Sequence, residues 1–140
     1  MSKFRALNLF LLFTFSVILT SCHIVDDEPE DFIIGEWEIT RSAGWEIQGG
    51  IKTVWDEPRG GVFWMFYDNG TGYVLDETEI VSRPAYFDWR IRDGQLIVNS
   101  SGDVFVYDIV SLNYSRMLID VRVLDVDYEG RWTETFSRVR

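Results

Sequence analysis

One histidine, one cysteine and three prolines stand among 140 residues. With a single thiol, no disulfide can form within the chain. Basic residues are also scarce: 13 Lys and Arg stand against 23 Asp and Glu, a formal charge of −10. Phosphate binding needs a basic face, so a nucleic-acid partner is excluded. The one long apolar run, from about Leu9 to Leu19, spans roughly 11 residues, short of the ~20 that a membrane-crossing helix requires. No stretch after residue 32 repeats its apolar residues at helical spacing, which excludes a helical bundle. What is abundant is apolar and aromatic: 46% of residues are hydrophobic and 16% carry Phe, Trp or Tyr rings. That share suits a single domain with a small β-rich core or a ligand pocket.

Residues 1–21 have the layout of an export signal: Lys3 and Arg5, then the apolar run, then Leu19-Thr20-Ser21-Cys22. This ending resembles the lipobox of bacterial lipoproteins. The resemblance implies that Cys22 is lipidated, becomes the mature N-terminus and holds the protein to a membrane through its acyl chains. The alternative is an ordinary secretory leader or an anchor helix. Loss of the leader takes away Lys3 and Arg5, so the charge becomes −10 − 2 = −12. Residues 22–32, with Asp26, Asp27, Glu28, Glu30 and Asp31, read as an acidic solvated tether. His23 stands where enteric lipoproteins kept at the inner membrane carry aspartate, and this points to the outer membrane. The acidic cluster either resembles a surface-export signal or is a plain spacer.

The domain from 33 to 140 reads as all-β, with about eight to ten short strands and turn residues between them. Its centre is Phe63-Trp64-Met65-Phe66-Tyr67-Asp68-Asn69-Gly70-Thr71-Gly72-Tyr73-Val74-Leu75, a hairpin folded at Asn69-Gly70. A two-residue loop sets Phe66 opposite Tyr73, Trp64 opposite Leu75, and Tyr67 over the bare Gly72. A three-residue loop, Asp68 to Gly70, slips these pairs by one. Both faces of the ribbon are apolar, so other strands must cover it. Ahead of it, Gly35, Trp37 and Ile39 share one strand face, and 42–61 is the least regular segment. Beyond it, Phe87, Trp89 and Ile91 share a face, Asp93-Gly94 signals a second hairpin, and 104–112 and 116–124 form two more strands. The last strand, 131–139, sets Trp132 and Phe136 on one side. Hairpin connections throughout favour an up-and-down antiparallel barrel, which leaves no exposed edge. A sandwich is the other architecture open to this pattern.

Four short pieces occur in order: Ile34-Gly35-Glu36-Trp37, Phe66-Tyr67-Asp68-Asn69-Gly70-Thr71-Gly72, Phe87-Asp88-Trp89 leading to Asp93-Gly94-Gln95-Leu96, and Phe136-Ser137-Arg138-Val139. Together they resemble the bacterial lipocalin-like lipoproteins. The resemblance implies a lipocalin-like β-barrel in which Trp37 and Arg138 close one end, with Arg131 as a substitute for Arg138. The chain departs from the classical lipocalins in its shortness, its lack of disulfides and the absence of a clear C-terminal helix.

Chemistry is sparse. His23 sits beside Cys22, so Ser–His and Cys–His nucleophiles and most zinc sites are excluded. No catalytic residue, metal site or cofactor is expected. Asp125-Val126-Asp127-Tyr128-Glu129-Gly130 resembles half of a calcium loop, but Phe136 stands where the closing glutamate belongs; a plain acidic turn is the other reading. The stronger candidates are aromatic: Trp64, Phe66, Tyr73, Phe87, Trp89, Phe105, Tyr107 and Trp132 as cavity lining, with Arg90 or Tyr86 at the mouth. The same rings could instead fill the barrel solidly. Trp45 and Trp55 belong either to an exposed contact patch or to a lid. The expectation is an outer-membrane lipoprotein that binds a small hydrophobic ligand without catalysis. The alternative is a module with a packed barrel that binds another envelope protein.

Overall fold

The computed structural model describes residues 28–140; the leader, Cys22 and His23 lie outside the described residues. One short helix, α1 (Pro29–Ile33), precedes nine strands: β1 (Gly35–Gln48), β2 (Ile51–Pro58), β3 (Val62–Phe66), β4 (Thr71–Asp76), β5 (Ala85–Arg92), β6 (Gln95–Ser100), β7 (Asp103–Leu112), β8 (Arg116–Leu124) and β9 (Tyr128–Arg138). From β3 onward each strand pairs antiparallel with the next, and β9 returns to β1 along the pairs from Trp37↔Arg138 to Gln48↔Tyr128. Eight strands, all but β2, thus make a closed up-and-down barrel. The fold is all-β, as the alternation of the strands predicts.

β1 is long enough to take two partners on its other side. Its first residues pair with β3, from Gly35↔Phe66 to Glu38↔Phe63, and residues 41–48 pair with β2. The segment 42–61 is the least regular in sequence, with room for short strands around Trp45 to Ile47 and Ile51 to Trp55 and a turn at Gly49-Gly50. These strands form and extend into one long regular hairpin. Gly49 and Gly50 both take positive φ at its tip, which permits a two-residue loop between long strands. A bulge at Thr40 breaks the alternation of β1 against β9. Before it, Trp37 and Ile39 point inward; after it, Ser42 and Gly44 do.

The central hairpin adopts the three-residue loop. Phe66 pairs with Gly72, Met65 with Tyr73 and Trp64 with Val74, so the pairs expected from a two-residue loop are slipped by one. The cause is local. Only Gly70 has positive φ here, and Asn69 instead accepts hydrogen bonds at Oδ1 from the backbone N–H (3.0 Å) and hydroxyl (2.6 Å) of Thr71. Two consequences follow. Tyr73 faces outward, and the ring over Gly72 is Phe87 of β5, not Tyr67. At Asp93-Gly94 both residues take positive φ, and the expected two-residue loop forms.

One end of the barrel is filled. Trp37, Phe66, Leu96, Met117 and Phe136 are fully buried there, with Ile33 of α1 against them. The acidic tether was expected to run to residue 32, but its last residues form α1. Pro29 suits the first helical turn, Glu30 and Asp31 sit at its positive end, and buried Ile33 docks the helix. Among the described residues no helix is long and apolar enough to cross a membrane.

Candidate functional site

At the other end, where residues 103–107 of β7 and 121–124 of β8 no longer pair with each other, the barrel holds an open-mouthed cavity of about 590 Å³. Its walls come from Ile39 of β1, Val104 to Tyr107 of β7, Ile119 and Val121 to Leu124 of β8, and Trp132 and Glu134 of β9, with Trp64 of β3 below. Trp64 divides the hollow half from the packed half. Its ring lies 5.7–6.0 Å from those of Phe66, Phe87, Tyr107 and Phe136, and the Tyr107 and Phe136 contacts are edge-on. The barrel is thus both filled and hollow, each over part of its length.

The expected lining residues separate accordingly. Trp64, Phe105, Tyr107 and Trp132 face the cavity, with Phe105 at the rim and nearly half exposed. Phe66, Phe87 and Trp89 lie in the packed core instead, where the Trp89 indole donates to the carbonyls of Tyr67 (3.1 Å) and Thr71 (3.0 Å). Tyr73, carried outward by the one-residue slip, stacks between Tyr67 and Tyr86 on the barrel's outer surface. Tyr86 and Arg90 are likewise exposed on the outside of β5, away from the mouth. Beside Asp88, Arg90 and Asn99 the outer wall carries a smaller depression of about 280 Å³. Asp125 to Asp127 form the tight turn between β8 and β9, closed by a bond from the Asp125 N–H to the Tyr128 carbonyl (2.7 Å).

Two polar participants, Ser42 and Glu134, were not among the expected residues, and Trp55, expected in a patch or a lid, joins them. Glu134 Oε1 accepts from the Ser42 hydroxyl (3.1 Å), whose oxygen accepts from the indole N–H of Trp55 (2.9 Å). The other carboxyl oxygen, Oε2, is buried without a hydrogen-bond partner among the described residues. Burial pushes the Glu134 carboxyl above its ordinary pKa, against the opposing pull of the Ser42 bond, the Arg59 charge and the Trp132 indole N–H. Burial, and secondarily the Glu134 charge, raises Tyr107 as well. Trp55 reaches this site across Gly44. The register aligns Trp55, Gly44 and Trp132 on three adjacent strands, and with no side chain between them the two indoles stand 6.0 Å apart. Trp55 is therefore half-buried against Trp132 and not part of an exposed patch. Trp45 is on the opposite face of β1, under the ammonium of Lys52 (5.1 Å).

At the closed end, the Arg138 guanidinium lies over the Trp37 ring, 4.3 Å from its centroid. This is the geometry that the lipocalin resemblance implies for the pair. Arg131 is elsewhere, bonded to Asp120 (2.9 Å).

The sequence pattern of the lipocalin-like domain matches residues 33–119. The chain belongs to the lipocalin-like domain family. Among solved structures, a lipocalin-like protein from Bacteroides uniformis superposes with a TM-score of 0.52 at 10% identity, covering 76% of this chain and 97% of that one. An uncharacterized protein from Bacteroides eggerthii gives 0.47 at 8% identity, covering 73% and 98%. At such identities the likeness concerns the fold alone. No curated protein matches the chain. As a lipocalin-like domain, the barrel is an architecture compatible with a small-ligand binding module; the site itself must say more.

Proposed function

We propose that this protein is a lipoprotein held at the outer membrane through acylated Cys22, and that its barrel binds a small hydrophobic molecule without catalysing its conversion. The observation that carries the reading is the cavity. About 590 Å³ lies within the range of ~300–1,000 Å³ typical of small-molecule sites, and its walls are chiefly aliphatic and aromatic. A barrel packed solidly along its whole length would instead favour the partner-binding module. The lipobox supports the anchor, and residue 23, which is not aspartate, supports outer-membrane sorting.

Native mass spectrometry of the protein purified from the cell envelope tests both halves. The expected species begins at Cys22, carries acyl chains and retains a co-purified small molecule. A product still bearing Met1 without acyl groups overturns the anchor. A ligand-free barrel in stoichiometric complex with another envelope protein overturns the carrier.

A further inference from the structure

The cavity holds one carboxylate whose hydrogen-bonding capacity is half used. From this we infer that its ligand is an apolar molecule bearing a protonated amine, and that the ammonium pairs with Oε2 of Glu134. The inference rests on the carrier reading and adds the chemical class of the cargo.

Three observations combine. First, the carboxyl group is held in place: Oε1 accepts from Ser42, which is in turn fixed by the Trp55 indole. Among the described residues Oε2 completes no hydrogen bond, and it has the Trp132 indole N–H near enough to favour the ionised form. A buried acceptor without a donor is costly, and a ligand that supplies the donor recovers that loss. Second, among the described residues no cation is bonded to the charge at Glu134. Arg59 acts on Glu134 only through space, and the one arginine at the cavity, Arg122, is directed to Asp120 (3.3 Å) and Asp108 (3.8 Å). A hydroxyl would satisfy the lone pair and leave the charge; an ammonium answers both. Third, Trp132 and Trp64 line the same cavity, and indole faces attract cations. An anionic amphiphile such as a fatty acid meets the opposite situation: its carboxylate would have to sit in an apolar chamber that already holds one.

The test compares octylamine, octanol and octanoate on the full-length protein at raised salt, which screens the acidic exterior. Binding is read from tryptophan fluorescence and from displacement of an environment-sensitive apolar dye. The expected order is amine, alcohol, carboxylate, with the amine about tenfold tighter than the carboxylate. Glu134→Gln should bring amine and alcohol to within about twofold of each other, with the far-UV circular-dichroism spectrum and melting transition of the variant showing separately that it is folded. Should that variant fail to fold, Ser42→Ala, which frees the carboxyl to turn, should shrink the same ratio. Octanoate binding as tightly as octylamine, or an unchanged ratio in Glu134→Gln, overturns the inference and leaves the carrier reading standing. If the dye stays dark and none of the three binds, the carrier reading itself fails and takes the inference with it.

Discussion

Arg138 joins the last strand to the helix through Trp37. Its guanidinium carbon stands 4.3 Å from the indole centroid, while its N–H groups donate to the carbonyls of Ile34 (2.6 Å), Phe32 and Tyr114. The Trp37 indole N–H donates to the Ile33 carbonyl at 2.7 Å. Two side chains thus satisfy the carbonyls released where α1 ends and β1 begins, a place where orphan acceptors would otherwise be buried. Arg138→Ala should lower stability by about 2–4 kcal/mol, combining the lost cation–π contact with unpaired carbonyls. Arg138→Lys should restore less than half of this, because an ammonium cannot spread donors over three carbonyls while facing a ring. Urea denaturation of the three proteins checks both statements.

Gly44 is the position that lets Trp55 of β2 reach Trp132 of the cavity wall. A Cβ there would come within 2.3 Å of both the Trp132 Cβ and the Arg131 carbonyl oxygen. Gly44→Ala must therefore push β1 and β9 apart or displace the indole. The expected cost is about 1–3 kcal/mol, with a loss of near-UV circular dichroism as the Trp55–Trp132 pair separates. An unchanged near-UV signal would show that the two indoles do not meet in solution.

The central hairpin offers a cleaner backbone test. Gly70 holds φ 79°, where an L side chain is strained, and its carbonyl accepts from the Trp89 N–H at 2.8 Å. Gly70→Ala should cost about 1–2 kcal/mol. Asn69→Ala, which deletes two side-chain bonds to Thr71, should cost roughly 0.5–1.5 kcal/mol. Asn69→Gly, by contrast, should favour the competing two-residue loop, and amide exchange across the Met65↔Tyr73 pair would report the slip.

Much of this architecture was readable because alternation is a strong signal when one face is greasy. Phe87, Trp89 and Ile91 point inward as their spacing requires, and Asp93-Gly94 turns as its two positive-φ residues allow. What alternation cannot announce is an inserted residue. Counted straight from Trp37, the inward positions of β1 would be 41, 43 and 45; the bulge at Thr40 makes them Ser42 and Gly44 instead. That single offset hid Ser42 and the alignment of Trp55 with Trp132. The loop at Asp68 to Gly70 acted in the same way on Tyr73. Glu134 is different, for it stands between Trp132 and Phe136 on a strand with no bulge against β8. A carboxylate flanked by two inward rings was visible in the order of residues, and it was the signal for the polar centre of the site.

Glu134 also makes the stability of the barrel depend on pH in a direction opposite to an ordinary ion-paired carboxylate. Burial raises its pKa in the folded state, so the folded chain binds this proton more tightly than the unfolded chain does. Its contribution to stability is full below the unfolded value and is lost as pH rises through the raised one. Glu134→Gln removes that loss. The variant should match the parent at low pH and melt higher near neutrality, the gap opening as pH rises from the ordinary carboxylate range through the raised value. Other carboxylates titrate in the same region, so the quantity to follow is the difference between the two melting curves at each pH. A gap that stays constant with pH would mean that Glu134 titrates as it does in water. An ammonium ligand should narrow the gap near neutral pH by stabilising the ionised parent more than the variant, which ties the thermal measurement to the chemistry of the cavity.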